Sequence, residues 1–198
     1  MSGIAKKGRL KKLYETYNYW FNNKEHDDSS QFDENYFVYK IYKEIISKLE
    51  IPDNGYIVVA GTNNCVSFDL LCKHFGYDRC LGFDLYNPKN HPRVITKNCW
   101  NLSEKDNLPI AFAHNDVGSY PTTPELKLFT QKWLISNIIS DGYLLSNNNI
   151  NSAKYDLEKL TKEKNFNNIN LSQLDRQKFD VSSIDEQKLE SYMICKKY

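Results

Sequence analysis

The chain has 198 residues, enough for one domain with a sizeable core. Its formal charge is balanced at +1, which argues against a dedicated nucleic-acid binder. There is no secretory h-region and no apolar run of about 18 residues, so no membrane span and a cytoplasmic location are expected.

Residues 1–30 are polar and tyrosine-rich, basic at "KKGRLKK" and closing on "NNKEHDDSS", and the segment is taken to run to residue 34. They read as a basic and aromatic segment ahead of a domain over 35–198. The basic stretch reads as a solvated tail, with weak contact to nucleic acid or an acidic partner as the alternative. In "DENYFVYKIYKEIISKLEIP", Phe37, Ile41, Ile45 and Leu49 recur at helical spacing and Pro52 closes the element. "YIVVA", Tyr56 to Ala60, predicts a strand. It runs into "GTNN" and then a helix from about Cys65 to Phe75, with Gly76 as its cap. Further strands are predicted at about 79–83, 93–97 and 109–114. "TPELKLFTQKWLISNII" predicts a helix capped by Thr123, with Leu126, Phe129, Trp133 and Ile138 towards the core. "DGYLLSN" turns at Asp141-Gly142 into a fifth strand. "SAKYDLEKLTKEKNF" predicts a charged helix, and "INLSQLD" and "ESYMICKKY" two closing strands. Alternating strands and helices predict an α/β sandwich with a mostly parallel sheet.

The five cysteines, Cys65, Cys72, Cys80, Cys99 and Cys195, form no CxxC pair and have no histidine ladder beside them. Free, buried thiols in a reducing compartment are expected, not a zinc site.

In an open parallel sheet, ligands sit outside the carboxyl ends of the strands. Here every strand tip is polar: Gly61 to Asn64, Asp84, Asn98 to Asn101, His114 to Asp116, and Ser146 to Asn148. Gly61 would let the backbone approach a ligand closely. Asn63 or Asn64 would tolerate positive φ. Asp84 lies about 20 residues past the loop, where a carboxylate can accept two ribose hydroxyls. His114 and Asp116 stand at the right tip to serve as a base; a strand-end histidine and a turn-forming aspartate are the plainer readings. Trp100 and the aromatic "YETYNYWF" would cover a ligand, or pack in the core.

With its leading helix and closing strand pair, this order of elements resembles the class I S-adenosylmethionine-dependent methyltransferases over about residues 35–198. "VVAGTNNCVSFDLL" stands where that family has its glycine-rich first motif, and "LGFDLYNP" where it has a ribose-binding acid. "AHNDVGSYPTTPELKLFTQKWLISNIISDGYLLSNNN" is most similar to the macrocin and mycinamicin type of sugar O-methyltransferase. The resemblance implies a Rossmann-like three-layer sandwich: a mostly parallel seven-stranded sheet with an antiparallel C-terminal strand. It implies S-adenosylmethionine held by Gly61, Thr62, Asn63, Asp84, Leu85, Trp100, Asn101 and His114. Catalysis would fall to His114 and Asp116, and Mg²⁺ to Asp116, Asn147 and Asn148. The implied partner is a small-molecule or sugar acceptor, and a homo-oligomer is compatible. The segment 14–37, a candidate lid, and the loop 117–123 would wall its pocket.

The chain departs from that pattern. Val59 replaces an acid, Asn63 and Cys65 replace glycines, and Asn147 and Asn148 replace metal-binding carboxylates. A methyltransferase-like binding domain with weakened chemistry is the second expectation. A nicotinamide-dependent oxidoreductase is a third, disfavoured by the poor glycine fingerprint.

Overall fold

The computed structural model describes residues 37–62, 65–85, 87, 89–97, 99, 102, 107–117, 124–147, 166–170 and 192–198. The N-terminal segment 1–34, the Thr123 cap and residues 152–165 of the charged helix expected over 152–166 lie outside the described residues.

Helix α1 spans Phe37–Lys48. Its apolar residues are three and four apart, so Val38, Ile41, Tyr42 and Ile45 are buried together along one side. Strand β1, Tyr56–Ala60, buries four residues in a row, as a parallel strand covered on both faces must. Arg79 fixes the entry to β1, donating from Nη2 to the Pro52 carbonyl at 2.7 Å and the Gly55 carbonyl at 3.0 Å.

Helix α2, Val66–Phe75, buries Phe68, Leu71 and Cys72. It stops where expected: Gly76 turns out at φ 94, and its N–H bonds the Cys72 carbonyl. A 3₁₀ turn at Tyr77–Arg79 leads to β2, Cys80–Asp84. Then come β3, Val94–Thr96, and β4, Ile110–Asn115, the latter buried throughout. Helix α3 is Pro124–Asn137 and β5 is Ile138–Asn147. Strands β6, Phe166–Asn170, and β7, Tyr192–Lys197, close the sheet.

The seven strands lie in the order β3-β2-β1-β4-β5-β7-β6. All pairings from β3 to β5 are parallel, and β7 runs antiparallel to both β5 and β6. One apolar cluster joins α1 and α2 to Ile57, Val59, Phe112 and Leu145. The other joins Trp133, Leu134 and Ile135 of α3 to Val58, Ala60, Ala113 and Leu144. Successive strand residues thus feed opposite layers. The expected three-layer sandwich, with its antiparallel last strand, is present.

Two elements differ from expectation. Helix α3 ends at Asn137, before Ile138 and Ile139. The Asn137 side chain closes it, donating to the Trp133 carbonyl at 2.8 Å and accepting from the Leu108 N–H at 3.2 Å. Ile138 is already paired with Ile110 in the sheet, and Phe112 pairs next with Tyr143. The residues between form a bulge in which Asp141 takes φ 63. Gly142 is required there, because a Cβ would lie 2.7 Å from the Ile138 Cγ2 and 3.0 Å from two carbonyl oxygens of β4. Strand β6 starts at Phe166, three residues ahead of the expected start, so Phe166 ends no helix.

Candidate functional site at the strand tips

The register aligns the carboxyl ends of four central strands. Ala60 lies beside Phe83 on one side and Asn115 on the other, and Asn115 lies beside Ser146. Gly61, Asp84 and Asp116 therefore emerge next to one another.

Gly61 sits at φ 86 and donates its N–H to the Phe83 carbonyl at 2.8 Å. Asp116 donates its N–H to the Ala60 carbonyl, also at 2.8 Å. A Cβ on Gly61 would stand 2.9 Å from the Asp116 carbonyl carbon and 3.1 Å from the Val117 nitrogen. Glycine is needed because two loops cross here backbone on backbone. The close approach expected toward a ligand is spent on the protein's own chain.

Thr62 is buried, and its hydroxyl donates to Asp84 Oδ2 at 3.4 Å. Its carbonyl accepts from the Cys65 N–H at 2.8 Å, closing a tight turn. Asn63 and Asn64 lie outside the described residues; Cys65 holds a left-handed conformation at φ 70. The Cys65 thiol points inward, within 3.9 Å of both Thr62 Oγ1 and Asn87 Oδ1. Burial pushes its pKa up, and the Asp84 charge adds to that. Asp84 itself is half-buried at the end of β2, followed by half-buried Leu85. All five cysteines are free and buried; burial also pushes Cys99 up, and Cys195 up to about 12. The hydrogen bond between Cys72 and Cys80 raises Cys72 and lowers Cys80; the thiols raised by burial stay protonated at neutral pH.

His114 was expected at an open tip. Its ring has no accessible surface in this conformation. Nδ1 lies 2.5 Å from the Tyr42 hydroxyl of α1, with the two rings edge to face at 5.4 Å. Tyr192 of β7 also packs on it, with ring centres 6.0 Å apart. His114 thus joins helix α1 to strands β4 and β7 of the sheet. Asp116 is also buried, at 8% exposure.

Sequence reasoning missed the network beneath Asp116. Gln131, buried in α3, accepts through Oε1 from Asn115 Nδ2 at 2.5 Å and from the Ser146 hydroxyl at 3.4 Å. Asn115 Oδ1 accepts from the Val117 N–H at 3.3 Å and so shapes the turn that presents Asp116. A signal was there: in "FTQKW" the polar Thr130 and Gln131 stand between the apolar Phe129 and Trp133, and both are buried.

Asn63, Trp100, Asn101 and Asn148 lie outside the described residues, and for Asn147 only the backbone is described. Among the described residues, no group of three His, Cys, Asp or Glu side chains is placed to hold a metal ion.

No family model and no curated protein sequence matches the chain. Solved structures do. The 1,6-didemethyltoxoflavin-N1-methyltransferase of Burkholderia thailandensis, solved with its namesake ligand and S-adenosylhomocysteine, superposes with a TM-score of 0.58 at 11% identity, covering 100% of this chain and 91% of that one. The N-methyltransferase NodS of Bradyrhizobium japonicum WM9, solved with S-adenosylhomocysteine, gives 0.56 at 12%, over 91% and 96%. An rRNA methylase of Streptococcus thermophilus gives 0.52 at 14%, over 79% and 94%. The chain has the fold of these methyltransferases. Their differing names say that the fold does not choose an acceptor.

Proposed function

We propose that the protein is an S-adenosylmethionine-dependent methyltransferase whose cofactor lies over the tips of β1, β2 and β4. One observation carries the reading: in a sheet of this strand order, Asp84 ends β2 beside Thr62 of the first loop, half-buried and within hydrogen-bond reach of its hydroxyl. A carboxylate so placed suits a ribose diol. The residues present fit the group: Thr62, Asp84 and Leu85 would hold the nucleoside end, with Asn63, Trp100 and Asn101 completing the wall. When bound, the cofactor supplies a sulfonium methyl for in-line transfer to a nucleophile.

The protein's part is to position and to take a proton. We assign the acceptor-facing role to Asp116, at a tip braced by Asn115 and Gln131. His114, behind Tyr42, holds that strand end in place and works through its neighbours. The finer reading is O-methylation of a small or sugar-like acceptor, its hydroxyl proton passing to Asp116. Residues 1–34 would close over that acceptor. Mg²⁺ has no support beyond Asp116 and the amides of Asn147 and Asn148, which bring no charge; the proposed reaction does not require it.

A second reading, a methyltransferase-like domain that binds a partner, is favoured by the buried His114 and by Val59 where an acid is usual. Tritiated-methyl transfer onto a cell extract separates the two. The enzyme reading expects label on a small molecule with the full-length chain, and none after Asp116→Asn or deletion of residues 1–30. Cofactor binding without label from the full-length chain favours the partner-binding domain.

A further inference from the structure

Residues 85–93 cross from β2 to the parallel strand β3 with no helix among those described. Such crossovers usually run a dozen residues or more and carry a helix. This short one folds around Asn87, whose side chain accepts from the His91 N–H at 2.8 Å and donates to the His91 carbonyl at 3.0 Å. A groove of about 290 Å³ remains between α1, α2 and the crossover.

Val66, Asp69, Leu70 and Lys73 line one wall, spaced to share one face of α2. Tyr39 of α1 and Lys89 and His91 of the crossover form the others. From Val66 to Lys73 the groove descends about 10 Å along the helix, away from the Gly61–Asp84 junction. Cys65 lines its upper end, so the groove begins beside the Thr62 turn and runs away from the strand-tip site.

Its charge is unbalanced. Asp69, the acid in the lining, is already shared by Lys73 at 2.7 Å, the Tyr77 hydroxyl at 2.6 Å and His91 Nε2 at 3.4 Å. Lys89 has no carboxylate partner among the described residues, and neither has Lys43, whose ammonium lies 5.4 Å from the Tyr39 ring centre. Tyr39, Val66 and Leu70 supply an apolar part of the same lining as Lys89.

We propose that this groove is a second ligand site, for a compact apolar or ring-bearing molecule that carries one phosphate or carboxylate. The body rests on Tyr39, Val66 and Leu70, and the anion pairs with Lys89. Lysine suits this role as a flexible point charge, and a charge-assisted contact gives the site its preference for anions.

The test is amide chemical-shift titration of the full-length chain with phenyl phosphate and benzoate, and with benzyl alcohol as the neutral control. The expected result is saturable shifts at Val66, Leu70 and His91 with at least one anion and none with the alcohol. Lys89→Met should weaken the effect about fivefold or more, and Asp84→Ala should leave it unchanged, whatever the fate of the strand-tip site. Shifts that never saturate, appear equally with benzyl alcohol, survive Lys89→Met or vanish in Asp84→Ala overturn the proposal.

Discussion

Asp84 and Thr62 meet across the first two strand tips, so the residue scale is where the cofactor reading is most exposed. A charge-assisted hydrogen bond is worth roughly 1.5–3 kcal/mol. Asp84→Ala should therefore weaken S-adenosylhomocysteine binding about tenfold or more by calorimetry; equal affinities would remove Asp84 from the site. Tyr42→Phe deletes the hydroxyl that meets His114 Nδ1 in a site without solvent. It should lower unfolding stability by about 1–3 kcal/mol, read as a shift in urea midpoint at constant slope. A change within error would mean that the ring packing alone holds the joint. Asp84 is legible in the sequence because a strand end and a spacing define it. The burial of His114 is not, because it depends on Tyr42, 72 positions away. Positive φ was expected at Asn63 or Asn64, which lie outside the described residues; Cys65, next to them, takes φ 70 with its thiol buried.

Among the elements, the joint between α3 and β5 shows where local pattern fails. β1 is legible because five apolar residues end at a glycine. At Ile138 and Ile139 the helical apolar spacing simply continues, and only pairing with Ile110 makes a strand of it. Gly142→Ala tests that joint: its Cβ would press on two β4 carbonyls, and overpacking of this kind costs about 1–3 kcal/mol. An unchanged denaturation midpoint would show that the bulge yields freely. Helix α2 is tied to the crossover loop through Asp69. Burial acts to raise that carboxyl's pKa, but hydrogen bonds from Lys73, Tyr77 and His91 outweigh it and hold it below the ordinary 3.8. A depressed folded-state pKa gives stability that is fully present above the unfolded value and fades as pH falls through the folded one. Asp69→Asn should therefore lower the melting temperature at pH 7, and the gap from wild type should shrink below about pH 4. A gap constant from pH 7 to pH 2 would show that the carboxylate's charge is not what ties the loop.

For the whole molecule, strand order matters more than any motif. The order β3-β2-β1-β4-β5-β7-β6 puts the first-loop turn, Asp84 and Asp116 at one edge of the sheet although the sequence spreads them over more than fifty residues. That gathering was legible from alternating strands and helices. The buried brace of Asn115, Gln131 and Ser146 was not, because it is made across three elements. Whether this edge holds the cofactor decides the function. Titration calorimetry of the full-length chain with S-adenosylhomocysteine asks that directly. We predict saturable one-to-one binding, accompanied by thermal stabilisation that reaches about 2.7 kcal/mol at a hundredfold excess over Kd. No heat and no stabilisation at millimolar ligand would contradict it.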